Sequence, residues 1–193
     1  MQSENVKVVS NWGIGKDWTL FLDRDGVINQ RIIDNYVCKW EDFHFIEGVL
    51  ESIRKFNFIF DKIVVVTNQR GINRGLMTHD DLSDIFKEMH QSVIKIGGRV
   101  DKFYYCPHLV EENCTCRKPK IGMGLQAKKD FPAIQFEKSV MVGDMLTDME
   151  FGKGLGMKTI YLTNHRANYY HNRSDIIDAY FPELSNFANV LMM

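Results

Sequence analysis

The sequence has little that would suit a membrane, secreted or nucleic-acid-binding protein. None of its apolar runs approaches the roughly 18 residues that a membrane-spanning helix needs. Its first residues, MQSENVKVVSNWG, lack the apolar stretch of a signal peptide. The 193 residues carry a net charge of −1 and no basic block, so neither a nucleic-acid partner nor a membrane partner is expected. These absences predict a cytoplasmic protein whose thiols stay reduced.

No repeat, low-complexity segment or linker interrupts the chain, which predicts one domain over 1–193 with a core over about 18–165. Short apolar runs predict strands at 18–23, 62–69, 100–106, 138–144 and 158–163. Helical spacing predicts helices at 45–58, 78–98, 121–131 and 147–156, with Thr78 as a helix N-cap. The segment after Asn164 receives no predicted element. This alternation predicts an α/β fold with a doubly wound (Rossmann-like), mainly parallel sheet.

Three predicted strands end in small polar or acidic residues. The segments read FLDRDGVIN (21–29), VVVTNQRGINRG (64–75) and MVGDMLTD (141–148). A single aspartate at a strand end is most often a turn former or helix cap, but the carboxyl ends of neighbouring parallel strands meet at one edge. Clustered carboxylates repel one another unless a cation joins them, and Mg²⁺ prefers oxygen ligands alone. The residues expected to converge are Asp23, Asp25, Thr67, Asn68, Asp144 and Asp148.

Three of the four cysteines lie in the stretch CPHLVEENCTC, residues 106–116. Cys106, His108, Cys114 and Cys116 form a Cys₃His set, which favours a closed, tetrahedral, structural Zn²⁺ site. A disulfide fits a reducing compartment poorly and leaves an odd cysteine, and a catalytic thiol pair would need a Cys-x-x-Cys spacing. Two cations follow the stretch directly, in Cys-Arg-Lys-Pro at 116–119. Most such pairs are solvated surface, but this position favours a role in the site.

Together these residues resemble the haloacid dehalogenase superfamily of phosphatases. That superfamily shares a DxDx(T/V) loop, a strand-end Ser or Thr, a Lys and a terminal acidic motif, which correspond here to 23–27, Thr67, Lys118 and 143–148. The resemblance covers about 20–163. Within the superfamily the chain is most similar to the histidinol-phosphate and the D-glycero-D-manno-heptose 1,7-bisphosphate phosphatases, which also carry DRDG, TNQ, a Cys-Pro-His with a later Cys-x-Cys, and CRKP.

The resemblance implies hydrolysis of a small phosphorylated metabolite through an aspartyl-phosphate intermediate, with Mg²⁺ as the catalytic and Zn²⁺ as the structural cofactor. Asp23 would be the nucleophile and Asp25 the general acid and base, while Thr67 and Lys118 would contact the phosphoryl group. Asp23, the backbone carbonyl of Asp25 and Asp144 would hold Mg²⁺, with Asp148 behind them. The remaining substrate-binding residues are expected to be Arg24, Asn68, Gln69, Arg70 and Arg117, next to Lys118.

Four hypotheses remain for the function, three of which name a substrate. No cap domain is inserted, so loops 29–44 and 70–74 and the zinc loop would surround the site. More matched positions favour the 7-phosphate of heptose 1,7-bisphosphate, in the synthesis of nucleotide-activated heptose for lipopolysaccharide, whereas the short zinc loop favours histidinol phosphate. A polynucleotide 3′-phosphatase would need more basic surface. An inactive zinc-stabilised binding domain is the reading from another class, and it is disfavoured because Asp23, Asp25, Lys118 and Asp144 are all present. A monomer is expected.

Overall fold

The computed structural model describes residues 2–32, 35–163 and 173–193. Its six strands are β1 Thr19–Leu22, β2 Lys62–Asn68, β3 Lys102–Cys106, β4 Ser139–Gly143, β5 Lys158–Leu162 and β6 Ala179–Phe181. Its six helices are α1 Gln2–Ser10, α2 Val49–Phe56, α3 His79–Lys95, α4 Gly122–Asp130, α5 Leu146–Gly154 and α6 Leu184–Val190. In these ranges no helix is long and apolar enough to cross a membrane.

The strands form one sheet in the order β3-β2-β1-β4-β5-β6, and every neighbouring pair is parallel. The chain builds β1 to β3 in one direction and then crosses back to place β4 on the other side of β1. Ligands of open α/β sheets bind outside the carboxyl ends of the strands at such a switch point. The functional site is therefore expected where β1, β2 and β4 end.

Both faces of the sheet are covered, because successive side chains of a strand point to opposite faces. Leu20 and Leu22 of β1 belong to the core beneath α2, α3 and α6, whereas Phe21 between them packs with residues of α4 and α5. All three side chains are fully buried. Two buried faces explain why these strands read as continuous apolar runs.

The predicted sheet is confirmed, and each of its five predicted strands lies within two residues of the observed bounds. Thr78 caps α3: its hydroxyl accepts from the Asp81 amide at 3.1 Å, and the Asp81 carboxylate accepts from the Thr78 amide at 2.7 Å. The helix predicted at 45–58 is shorter and begins at Val49, after Gly48 with a φ of 74°. The helices α1 and α6 and the strand β6 had no counterpart in the prediction. Residues 33–34 of the first loop, including Asp34, and the segment 164–172 lie outside the described residues.

Candidate active site

Three carboxylates meet at the carboxyl edge of the sheet. Asp23 follows β1 and its amide donates to the carbonyl of Val142 in β4 at 3.0 Å, so the two strand ends are tied together. Asp144 follows β4, and Asp148 lies in the first turn of α5, where its carboxylate accepts from the Met145 amide at 3.0 Å. Carboxylate oxygens of Asp23, Asp144 and Asp148 lie within 4.8 Å of one another.

The Lys118 ammonium sits inside this cluster. It lies 2.9 Å from Asp23 Oδ1 and 2.7 Å from Asp148 Oδ1, and it donates to the carbonyl of Val66 at 2.7 Å. Burial lowers the pKa of Lys118, but the charges of Asp148 and Asp23 outweigh it and raise the pKa overall. One ammonium cannot neutralise two carboxylates. Burial accordingly raises the pKa of Asp148 to about 7, with the charge of Asp23 adding to it and Lys118 opposing it.

Asn68 fixes the backbone that carries Lys118. Its side-chain amide donates to the Lys118 carbonyl at 3.1 Å and its side-chain oxygen accepts from the Lys118 amide at 3.0 Å. The side chain of Asn68 is therefore bound to the neighbouring loop, while the expected contact of Asn68 with the phosphate is one of its backbone and stays a prediction. The chain thereby joins the end of β2 to the segment that follows the cysteine cluster.

Asp25 is held by four hydrogen bonds. Arg24 Nη2 donates to both of its oxygens at 2.8 and 2.9 Å, Asn29 donates to Oδ1 at 2.9 Å, and Gln69 donates to Oδ2 at 2.8 Å. Burial raises the pKa of Asp25, but the charge and hydrogen bonds of Arg24, with those of Asn29 and Gln69, lower it overall. The same Gln69 amide also reaches the Thr67 hydroxyl at 2.9 Å.

Arg24 and Gln69 therefore differ in position from the sequence-based expectation. Both lie within the sequence motifs, Arg24 in DRDG and Gln69 in TNQ, and both were expected among the substrate-binding residues. In the structure Arg24 is fully buried and Gln69 is 1% exposed, and neither lines the cavity described below. Their side chains contact Asp25 from behind, which is the geometry of positioning residues.

A glycine allows the close approach of β1 and β4 loops. Gly26 has a φ of 89°, and a Cβ at this position would overlap the Asp144 carboxylate. A side chain here would be strained by the backbone conformation and would push Asp144 away from Asp23. The glycine in DRDG is thus required by the site itself.

Arg31 completes the charged cluster, although no sequence motif predicted it. Its Nε and Nη2 donate to the two oxygens of Asp144 at 3.2 and 2.7 Å, and Nη2 also donates to the backbone carbonyl of Asp25 at 2.8 Å. Burial alone would lower the pKa of Arg31, but Asp144 raises it. Burial and the charge of Asp23 raise the pKa of Asp144 despite this partner. An isolated arginine in a loop carries no sequence signal that would have predicted these contacts.

The oxygen donors at this edge fit a Mg²⁺ ion. Asp23 and Asp144 supply carboxylate oxygens. The backbone carbonyl of Asp25 lies close to Asp144, since both accept from Arg31 Nη2. All three groups offer oxygen ligands. Hard oxygen ligands of this kind are what Mg²⁺ prefers. The excess of negative charge over the single buried ammonium also favours a divalent cation.

Asp23, Asp25, Lys118 and Asp148 line a cavity of about 800 Å³. Tyr36 stands at its rim, where its hydroxyl accepts from Arg70 Nε at 2.6 Å and its ring lies 5.9 Å from the Arg74 guanidinium. Arg117 is half-buried, and its Nη1 is buried without a hydrogen-bond partner among the described residues. The cations lining the cavity are Arg31, Arg70, Arg74, Arg117, Lys118 and Lys120.

The Cys₃His set is assembled as a single cluster at the end of β3. The sulfur of Cys106 lies 3.5 Å from His108 Nδ1 and 3.5 Å from the Cys114 sulfur, and Cys116 lies 3.2 Å from His108 Nδ1. A tetrahedral Zn²⁺ with ordinary bond lengths separates two sulfurs by about 3.8 Å and a sulfur from a nitrogen by about 3.6 Å. The four cysteines are free thiols, so the described residues contain no disulfide, and the donor set fits Zn²⁺.

The cysteine loop packs beside the loop that follows β2. Glu112 accepts from the Leu109 amide at 2.6 Å and from the Asn73 side chain at 2.8 Å. The backbone amide of Gln69 donates to the Cys106 carbonyl at 2.7 Å. Burial raises the pKa of Cys114, but the Arg117 amide, the other two cysteines and the Cys116 backbone amide lower it to about 7. Burial instead raises the pKa of Cys106 and of Cys116, so a metal bound by all three thiolates would displace protons from them.

Comparison with known proteins gives consistent matches over the described core. The sequence model of the family described as Polynucleotide kinase 3 phosphatase matches residues 18–182. A D-glycero-alpha-D-manno-heptose-1,7-bisphosphate 7-phosphatase of Campylobacter jejuni is 42% identical over 149 residues, which cover 77% of this chain and 84% of the relative. A D-glycero-beta-D-manno-heptose-1,7-bisphosphate 7-phosphatase of Helicobacter pylori is 42% identical over 155 residues, covering 79% and 87%.

A solved structure also matches. The D,D-heptose 1,7-bisphosphate phosphatase from B. bronchiseptica, complexed with magnesium and phosphate, superposes with a TM-score of 0.80 at 27% identity. The match covers 91% of this chain and 98% of that one.

Proposed function

The chain belongs to the haloacid dehalogenase-type phosphatases of the Polynucleotide kinase 3 phosphatase family, and on that premise we propose that it removes the 7-phosphate of D-glycero-D-manno-heptose 1,7-bisphosphate. The observation that carries this proposal is the pair Asp23 and Asp25 beside Lys118, on the floor of a cavity whose wall is rich in arginine. A substrate with two phosphates suits a site with cations at the reacting end and at the rim.

In the proposed reaction the Asp23 carboxylate attacks the phosphorus and the leaving alkoxide departs opposite to it. The attacker needs no base because a carboxylate is already ionised at neutral pH. Lys118, 2.9 Å from Asp23, neutralises negative charge on the carboxylate and on the phosphoryl oxygens as they approach each other. The Thr67 hydroxyl and the Asn68 backbone amide donate to the phosphoryl oxygens. Most of the barrier lowering then comes from positioning and charge stabilisation.

Asp25 protonates the leaving oxygen and afterwards takes a proton from the water that hydrolyses the aspartyl-phosphate. Arg24, Asn29 and Gln69 keep its carboxylate oriented between these two events. Their donated hydrogen bonds lower the pKa of Asp25, so it is ionised and ready to act as the base. Its protonation for the first step requires one of these donors to give way.

Asp23, Asp144 and the Asp25 carbonyl would hold Mg²⁺, with Asp148 buried behind them and bound to Lys118. Bound Mg²⁺ supplies positive charge that screens the Asp23 carboxylate from the anionic phosphate. Cys106, His108, Cys114 and Cys116 would hold Zn²⁺ in a structural role.

Arg117 is proposed to bind the second phosphate. It follows Cys116 directly, lines the cavity and has a buried guanidinium nitrogen without a partner among the described residues. The planar fork of an arginine suits two-point contact with phosphate. Lys118, its neighbour, is committed to the reacting end.

The test compares kcat/KM of the purified protein on both anomers of heptose 1,7-bisphosphate, on histidinol phosphate and on a 3′-phosphorylated oligonucleotide, each with Mg²⁺. The heptose bisphosphate is expected to be preferred by at least an order of magnitude over the others. Asp23→Asn is the control for contaminating phosphatase. Preference for either of the other two substrates would replace the proposed one, and absence of turnover on all of them would favour a binding domain.

A further inference from the structure

Arg31 makes its three hydrogen bonds to two of the groups that form the proposed magnesium site. Nε and Nη2 take the two oxygens of Asp144, and Nη2 also takes the carbonyl of Asp25. A single guanidinium nitrogen thus bridges the same pair of oxygens, at 2.7 and 2.8 Å, that Mg²⁺ would bridge at about 2.1 Å.

The guanidinium and a metal ion cannot both make these contacts favourably. If they approach the two oxygens from one side, they overlap, because both positions lie within a few Å of the same two atoms. If they approach from opposite sides, a single and a double positive charge lie roughly 4 Å apart and repel each other. In either case Mg²⁺ binds at the expense of Arg31 contacts.

Arg31 is able to leave. Its side chain is 43% exposed, the Asp144 side chain is 19% exposed, and Arg31 lines the cavity. The three hydrogen bonds to Asp144 and to the Asp25 carbonyl are the ones described for its side chain. Lys118 and Arg24, in contrast, are buried. Displacement therefore requires a rotation of one long side chain into an open cavity, without repacking of the core.

We propose that Arg31 is a built-in counter-ion of the metal site, which competes with Mg²⁺ for Asp144 and the Asp25 carbonyl and thereby sets the magnesium affinity. It supplies positive charge to the carboxylate cluster until the metal replaces it. This inference rests on the proposed magnesium site. It adds that loss of a residue in contact with that site strengthens metal binding.

The experiment measures Mg²⁺ binding by isothermal titration calorimetry, and the midpoint of thermal unfolding in chelator-free buffer without or with Mg²⁺. The variants are Arg31→Ala, Arg31→Lys and the control Arg54→Ala. Arg54 is matched to Arg31 because it forms a two-point ion pair with Glu51 and its side chain is 42% exposed, and it lies on α2, outside the residues that line the cavity.

Arg31→Ala is expected to bind Mg²⁺ about tenfold more tightly, since a charge-assisted pair at a half-exposed position is being removed as competitor. Its unfolding midpoint without Mg²⁺ is expected to fall, and the rise of this midpoint on addition of Mg²⁺ to exceed that of the wild type. Arg31→Lys keeps the positive charge but loses the planar guanidinium group. Its Mg²⁺ affinity should therefore lie between those of the wild type and Arg31→Ala. Arg54→Ala should bind Mg²⁺ as the wild type does.

Unchanged or weaker Mg²⁺ binding by Arg31→Ala would overturn the proposal, because removing a side chain that competes with Mg²⁺ for the same oxygens should strengthen Mg²⁺ binding. Asp144→Asn separates this failure from that of the magnesium site itself. If the wild type binds Mg²⁺ and Asp144→Asn does not, the site stands and only the role of Arg31 is wrong. If Asp144→Asn binds as the wild type does, the metal lies elsewhere and both proposals fall.

Discussion

Replacing Lys118 by methionine tests whether the carboxylate cluster depends on one buried ammonium. Methionine keeps most of the side-chain length and the apolar packing but removes the charge. It would leave the Asp23 and Asp148 carboxylates, 6% and 1% exposed, without the cation that lies 2.9 and 2.7 Å from them. It would also leave the Val66 carbonyl without its donor.

Removing one partner of a buried ion pair costs about 3–5 kcal/mol, because a charge is stranded in a place with little water. We therefore expect the free energy of unfolding of Lys118→Met to fall by about 3–5 kcal/mol in chelator-free buffer without Mg²⁺, which is a large share of the roughly 5–15 kcal/mol that a domain has. Urea denaturation gives this quantity. Added Mg²⁺ should recover part of the loss, since it would neutralise Asp23.

The control is Lys153→Met. The Lys153 ammonium contacts both oxygens of Asp178 at 2.7 Å, but the two side chains are 29% and 23% exposed, and solvent screening limits the loss to about 1 kcal/mol or less. The double variant Lys118→Met with Asp148→Asn should be more stable than Lys118→Met alone, because it removes one stranded charge. A loss below about 1 kcal/mol for Lys118→Met, or one no larger than that of Lys153→Met, would refute the reasoning.

Three further predictions concern the reaction and the second metal. Asp23→Asn should lower turnover by orders of magnitude with the fold intact by circular dichroism, and near-normal turnover would exclude the covalent route. Arg117→Ala should mainly raise KM, by roughly ten- to a hundredfold on a bisphosphate and less on a monophosphate, and equal losses on the two would remove the distal-phosphate role. Cys114→Ser, or zinc removal by a strong chelator, should lower the unfolding midpoint and release Zn²⁺ measurable by atomic absorption; protein purified without chelators that holds no zinc would contradict the metal assignment.

The sheet could be predicted because its strands are buried on both faces. Such strands are continuous apolar runs, and the polar residues that end them mark the edge where a site forms. The strand β6 has three residues, too few for a pattern, and α1 owes part of its position to a side-chain contact, Asn5 to the Tyr180 carbonyl at 2.9 Å. Elements of this kind are fixed by tertiary packing, which local periodicity does not record.

The positions of the arginines were harder to predict than those of the aspartates. Asp23 and Asp144 directly follow regular strands and Asp148 lies in the first turn of the helix after β4, so the direction of the strand predicts the edge at which they lie. Arg31 lies in an irregular loop and meets Asp144 across 113 positions of sequence. Arg24 lies within the DRDG turn, and its side chain is buried. A turn lacks the alternation of inward and outward side chains that a strand has, so the sequence does not predict which way Arg24 faces.

The position of Lys118 connects the two proposed metal sites. Lys118 stands two residues after Cys116, and its backbone is fixed by Asn68 at the end of β2. The loop between Cys106 and Cys116 contains no fully buried residue and has few apolar side chains to bury, so hydrophobic packing contributes little to holding it in place. Metal–ligand bonds would supply the missing free energy at the point where the chain turns back toward the carboxylates. On this reasoning a bound Zn²⁺ would be structural in kind, yet its effect would reach the reaction, because it would fix the segment that carries the buried ammonium.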